Sequence, residues 1–404
     1  MSDTSPMASV PAHIPADLVI DWDFHAPPGG ERALNSAWKS LHEGPDIVWT
    51  GRNGGHWIVT RAEDIEFVQR NHDPFSMREI TIPAGIKPLR SLPLEADPPE
   101  HAAYRKILVQ FFTPKAIGDL SDSIRALTVS LIEGFYARGK CELVADFAMR
   151  LPITIFMKMI ELPLSDLERL LAWTEATVRP KKPDDMRWAF LSLNDYLTEV
   201  IRQRRSTPGS DLISAIVNAQ VFGREITDEE MRAMLFNVVF GGLDTVASIM
   251  GFAADFLARS PAHRLELAEH PERIPGAVDE LLRVFAPSST GRVVTRDYQY
   301  KDVTFKKGDR VYVRPLLHGM DERRFAEPLK VDFSRPQNQH AGFGSGPHKC
   351  VGAVLARVEL RIFLEEWIKR IPNFELQEGA DVRFSAGMVN CVLRVPLTWS
   401  PVLS

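Results

Sequence analysis

Apolar residues recur at intervals of three and four along much of the chain, and that spacing predicts amphipathic helices. Four of them lie in the first half, over Ile117–Ala137, Cys141–Met157, Ser165–Thr177 and Met186–Gln203. The third is expected to open on a capping box, with Ser165 at the cap and Glu168 three residues on. A longer helix follows. Thr227-Asp228-Glu229-Glu230 reads as another capping box, and Ser260-Pro261 as the stop. At 1.5 Å per residue this element spans roughly 50 Å, enough to cross a domain of this size. Between Arg232 and Asp255 its only charged residue is Asp244. A helix apolar all round belongs in a core or in a membrane. Insertion would have to hide Asn237, Asp244, Thr245 and Ser248, so a buried central helix is expected.

Period-two alternation marks the strands. Residues 47–60 read as a hairpin around the turn Gly51–Gly55. Residues 291–315 alternate about the turn Lys306–Asp309, and residues 384–399 supply the last strands, with a tip at Ala386–Asn390. Residues 1–30 are polar and rich in Pro and Ala, and read as an extended arm. No linker divides the remainder, so 31–404 is expected to be one domain.

Composition narrows the class. The 404 residues are 45% apolar and 25% charged, as in an ordinary soluble protein with a large core. A formal net charge of −5 argues against general nucleic-acid affinity. Three scattered cysteines, Cys141, Cys350 and Cys391, make no disulfide framework and suit a reducing compartment. The N-terminus carries no apolar stretch bracketed by basic residues. A cytoplasmic protein, neither membrane-bound nor secreted, is the expectation.

The chemistry concentrates at residues 340–352, His-Ala-Gly-Phe-Gly-Ser-Gly-Pro-His-Lys-Cys-Val-Gly. Glycines let a main chain approach a flat ligand closely. A helix starting at Cys350 would aim free N–H groups at the sulfur and favour the thiolate, the form that binds metal. Phe343-Gly-x-Gly-x-His348-x-Cys350-x-Gly352 resembles the haem-binding signature of the cytochrome P450 family. That resemblance implies haem b with Cys350 as the iron ligand, and Phe343, His348 and Gly352 as haem contacts. It also implies a mainly α fold with a small β region (α+β), triangular, with haem between the central helix and the Cys350 loop.

Further blocks extend the resemblance. Asp97-Pro-Pro-Glu-His101-x3-Arg105 places two basic side chains on one helix face. By resemblance His101, Arg105 and Arg292 hold haem propionates with His348. Gly241-Gly242-Leu243-Asp244-Thr245 resembles the family's oxygen groove and acid–alcohol pair. Thr245 and Asp244 would manage protons, with Arg179 as the swinging partner of Asp244. A lone helical threonine would instead back-bond to a carbonyl; beside Asp244 the catalytic reading is preferred. Glu280 and Arg283 match the family's buried Glu-x-x-Arg lock. Its usual third basic residue falls in Pro328-Leu329-Lys330-Val331, where Lys330 is the candidate.

From Asp97 to Trp399 the chain resembles the camphor-hydroxylase branch. That branch's ketone-binding tyrosine is missing from the loop Ile80–Leu94, where Leu89 takes the aligned place. Leu89, Asn237, Phe240, Ser288, Met388 and Val389 align with the substrate pocket, and Asn237 or Ser288 either hold a polar substrate group or only pack. A small terpenoid or norisoprenoid fits this better than camphor. Nothing resembles a dinucleotide or flavin fingerprint. Electrons from NAD(P)H would therefore come through a separate reductase and a [2Fe-2S] ferredoxin, docking on Arg105, Lys106, Lys349 and Arg357. The protein itself is expected to be a monomer. Two rivals remain, a peroxygenase of the same fold and a non-catalytic haem protein. The Asp244–Thr245 pair speaks against both.

Overall fold

The computed structural model describes residues 6–29, 34–85, 89–178, 182, 184–336 and 338–401. The long helix Asp228–Arg259 runs through the helical part and packs on Arg150–Met159, Asp185–Ser206, Ile274–Phe285, Ala353–Arg370 and the strand Cys391–Arg394. It begins where expected. The Thr227 hydroxyl accepts from Glu230 N–H (3.2 Å), and the Glu230 carboxylate accepts from Thr227 N–H (2.7 Å). Although long and apolar enough to cross a membrane, its apolar stretch is 71% buried inside the protein. One large apolar core surrounds this helix.

A second, smaller core backs a six-stranded sheet. Its strand order is Val19–Ile20, Ile47–Thr50, His56–Val59, Arg310–Val313, Thr290–Val294, Phe75–Ser76. The hairpin at 47–60 forms in the register Trp49 opposite Trp57. The chain before it adds the edge strand Val19–Ile20 and buries Phe24, whose ring stacks on Tyr312 at 4.9 Å. The fold is thus mainly helical with several small sheets.

Two expectations fail locally. Cys141 is not in a helix. Lys140–Glu142 is a strand pairing with Pro396–Thr398, followed by a π-helical turn at Val144–Ala148 and a helix only from Arg150 to Met159. The Glu142 carboxylate accepts from Val395 N–H (2.7 Å), so a partner strand some 250 residues away overrides the local helical pattern. The Ser165 capping box does not form either. A 3-10 turn at Leu164–Asp166 precedes the helix Leu167–Val178, and Glu168 pairs with Arg150 at 2.9 Å instead.

Candidate active site between the cysteine loop and the central helix

The loop around Cys350 is shaped by its glycines. Gly344 and Gly346 both have φ +71°, and a side chain on Gly346 would meet the Gln69 carbonyl at 2.9 Å. The Cys350 N–H closes the loop on the Phe343 carbonyl at 2.9 Å. The following helix spans Ala353–Arg370 with Gly352 at its N-cap, so Cys350 precedes the helix rather than starting it. Cys350 is exposed and lines a cavity. Burial pushes the thiol up; the Gly352 N–H, Arg105 and Arg357 pull it down by less. A metal ion at the sulfur would displace that proton outright. Phe343 beside it is held by Arg357, whose guanidinium lies 4.6 Å from the ring centre and donates to Asp279 at 2.8 Å.

Four basic side chains converge on the same cavity: His101, Arg105, Arg292 and His348. The His101 and His348 rings lie 4.2 Å apart. Burial first, and then His101, Arg292 and Arg105, push His348 down to about 2. Burial and then Arg105 push His101 down to about 4. Arg292 is buried and driven down to about 9 by desolvation, its Nη1 donating to Thr290 Oγ1 (2.7 Å) and the Gly291 carbonyl (2.9 Å). Arg105 donates to the Lys349 carbonyl in the cysteine loop. The buried Nε2 of His348 has no hydrogen-bond partner in the protein. Asp97, whose charge acts on His101 and Arg292, is engaged by Ser76 and by the Met77 N–H. Two arginines, two histidines kept neutral by burial and by those arginines, and an orphan buried nitrogen form a site for an anionic group. The carboxylate arms of a haem have that chemistry, and Cys350 in the same cavity is its axial ligand type, so the residues fit the group.

Across the cavity runs the central helix. A methyl group on Gly241 or Gly242 would meet no other element within 4 Å, so packing does not force these glycines; they leave depth in the cavity wall. Thr245 lines the cavity, and its hydroxyl donates to the Gly241 carbonyl at 3.0 Å. The back-bond set aside on sequence grounds is therefore made. Asp244 is buried and accepts at Oδ2 from the Cys391 thiol at 2.9 Å. Arg179, expected to partner Asp244, lies outside the described residues.

Glu359 was missed. It is buried on the helix Ala353–Arg370, lines the cavity, and is pushed up to about 8 by burial, with Oε1 unpartnered. The signal was present: Ala356, Glu359, Leu360 and Phe363 share the core-facing stripe, where an acid is out of place. The cavity measures about 1450 Å³, more than the 300–1,000 Å³ usual for a single ligand. Leu89, Asn237, Phe240, Ser288, Met388 and Val389 all line it. Phe190, Phe236 and Phe240 form a stacked row along one wall, of which only Phe240 was anticipated.

Behind the cysteine loop, Arg283 donates to both Glu280 oxygens at 2.7 and 2.8 Å, both side chains being fully buried. The third basic residue is Arg335, with Nε 3.1 Å from Glu280 Oε1. Lys330 does not fill that place. Its ammonium reaches only Glu327 at the surface, while its carbonyl accepts from Arg283 and Arg335.

The family profile described as Cytochrome P450 matches residues 177–388. A relative named probable cytochrome P450 127A1, from Sinorhizobium fredii, is 32% identical and covers 97% of both chains. The mycinamicin IV hydroxylase/epoxidase of Micromonospora griseorubida is 29% identical over 85% of this chain and 89% of its own. The crystal structure of CYP101C1 superposes with a TM-score of 0.90 at 37% identity, covering 97% of this chain and all of that one. That of CYP101J2 gives 0.89 at 36% with the same coverage. With a thiolate-type cysteine, an anion-seeking basic wall and a shared fold over nearly its whole length, the chain belongs to the cytochrome P450 family as one of its bacterial monooxygenases.

Proposed function

We propose that this protein hydroxylates a small hydrophobic substrate, of terpenoid or norisoprenoid type, with electrons from a separate [2Fe-2S] ferredoxin. The observation that carries this is one cavity lined by Cys350, four basic side chains, Thr245 and apolar residues. Bound haem would supply the iron at which O2 is cleaved, one atom entering a C–H bond and the other leaving as water.

The chain's own residues do the rest. Cys350 would ligate the metal, with Phe343 and Gly352 closing the haem face around it. His101, Arg105, Arg292 and His348 would hold the propionates, whose negative charge would favour the protonated forms that burial disfavours. Gly241 leaves room on the opposite side. Thr245, its proton committed to the Gly241 carbonyl, keeps its hydroxyl oxygen as an acceptor at the wall. Asp244, with Arg179 as its proposed second partner, passes protons inward. Glu359 keeps its carboxyl proton at neutral pH and is a second proton holder on the same cavity. The Glu280–Arg283–Arg335 lock fixes the loop that presents Cys350.

In the substrate space, Leu89 offers no hydrogen bond, so camphor is not the best ligand; Asn237 or Ser288 is left to orient a polar group. Exposed Lys106 and Lys349, next to Arg105 and Arg357, give the cysteine side a basic face for an acidic ferredoxin. Nothing in this scheme needs a membrane or a second subunit, and it suits the cytoplasm.

The test is the absorption spectrum of the reduced protein with carbon monoxide, followed by titration with terpenoid ketones. A strongly red-shifted Soret band and a ketone-induced spin-state change are expected. A band typical of histidine-ligated haem, or no haem at all, overturns the proposal.

A further inference from the structure

Of the three cysteines, Cys141 lies in a strand of the helical core and Cys350 in the haem loop. Cys391 has neither place. It starts the strand Cys391–Arg394, lines the same cavity, and sets its sulfur 2.9 Å from Asp244 Oδ2, 147 residues away. Both residues are buried.

Packing holds the two in that relation. Asp244 and Gly251 are seven residues apart, two turns along the same helix face. A side chain on Gly251 would meet Val392 Cβ at 2.8 Å, so glycine lets strand and helix touch just below the contact. Upstream, the Asn390 N–H is bonded to the Pro287 carbonyl at 2.9 Å, and Cys391 pairs with Ser385 across the hairpin. The strand is therefore pinned on both sides of Cys391. The thiol has one proton, and acceptors near it include Asp244 Oδ2 at 2.9 Å and the Val389 carbonyl at 3.6 Å. The Asp244 oxygen is the nearer, and it accepts the hydrogen bond.

We propose that Cys391 is the positioning residue for Asp244: its thiol holds Oδ2, so that the carboxylate keeps one orientation relative to neighbouring Thr245. This rests on Asp244 being the proton-handling acid of the site. A thiol is a weak donor. It orients the carboxylate while letting it turn once protonated.

Infrared spectroscopy of the carbon monoxide complex tests this without substrate or turnover. The S–H band that vanishes in Cys391→Ser should move to higher frequency in Asp244→Asn, as the thiol loses its carboxyl acceptor for a weaker amide. The C–O stretch of the bound gas, which reads polar groups above the metal, should shift or broaden in Cys391→Ala and return in Cys391→Ser. Should Cys391→Ala fold poorly, Cys391→Val keeps volume without a donor and takes its place. An S–H band indifferent to Asp244→Asn overturns the proposal. So does a C–O band unchanged in the Ala or Val variant, or altered equally by Ser, which would leave Cys391 a packing role only. A protein without haem would give no C–O band but still an S–H band, so failure of the functional reading is distinguishable from failure of this one.

Discussion

Arg335 sets its guanidinium Nε 3.1 and 3.2 Å from the two carboxylate oxygens of Glu280, which already accept two bonds from Arg283. Glu280 also accepts from the Asp332 N–H and from Asn338, each at 2.9 Å. Burial alone would raise this carboxyl; the Arg283 bonds, helped by Asp332 and Arg335, outweigh it and hold Glu280 below its ordinary value. The cluster ties the helix Ile274–Phe285 to the segment leading into the cysteine loop.

Arg335→Ala should therefore cost about 1.5–3 kcal/mol, because it removes charge-assisted hydrogen bonds from a buried carboxylate that still keeps Arg283. Lys330→Ala should change stability by less than about 0.5 kcal/mol, since only the main chain of Lys330 enters the cluster. Urea denaturation of the two variants, with haem content read alongside, checks this. Equal losses would return Lys330 to the lock.

How far such features can be read from sequence depends on whether their residues are neighbours in the chain. Phe343, His348, Cys350 and Gly352 sit within one loop, and Glu280 and Arg283 one helical turn apart, so each set forms a short motif that the resemblance to the family could pick out. Arg335 joins Glu280 through 55 residues of intervening chain, and Cys391 joins Asp244 through 147. No local pattern announces either contact. Cys141 carries a helical periodicity that strand pairing with Leu397 overrides. Glu359 is the instructive miss, because an acid on a core-facing stripe is a local signal and asks for a chemical reason.

That acid gives stability a pH dependence. In the unfolded chain Glu359 ionises near its ordinary 4.5, whereas in the folded protein burial keeps it protonated to about 8. Between those values the folded state binds the additional proton, so stability falls as pH rises through the window. The loss is at most on the order of 5 kcal/mol. Glu359→Gln should flatten this contribution between about pH 5 and pH 8 and be the more stable form at the upper end. Denaturation of wild type and variant at both ends measures it, and parallel pH profiles would remove Glu359 as a buried neutral acid.

Thr245 separates catalysis from mere haem binding. Thr245→Ala deletes a hydroxyl that donates to its own helix at 3.0 Å, so folding and ligand-induced spectral changes should persist. Product formed per NADH should fall by at least about tenfold, with hydrogen peroxide making up the difference, since a positioned proton-handling group contributes that much or more. Oxygen, NADH, peroxide and product are measured together. An unaltered product yield would mean that the hydroxyl serves only the helix.

The basic face around the cysteine loop leads to a rate prediction. Lys106 and Lys349 are exposed, whereas Arg105 is committed to the Lys349 carbonyl and Arg357 to Asp279, so the two lysines carry the charge most available to a partner. Exposed charges steer encounter more than they hold a complex, and salt screens them over about 10 Å at 0.1 M. Lys106→Ala and Lys349→Ala should each slow reduction by ferredoxin several-fold at low ionic strength, and flatten its dependence on salt, while the spectrum with carbon monoxide stays unchanged. At high salt, wild type and variants should converge. Stopped-flow reduction at several ionic strengths tells the cases apart: identical rates and slopes in all three proteins would move the ferredoxin site off this face.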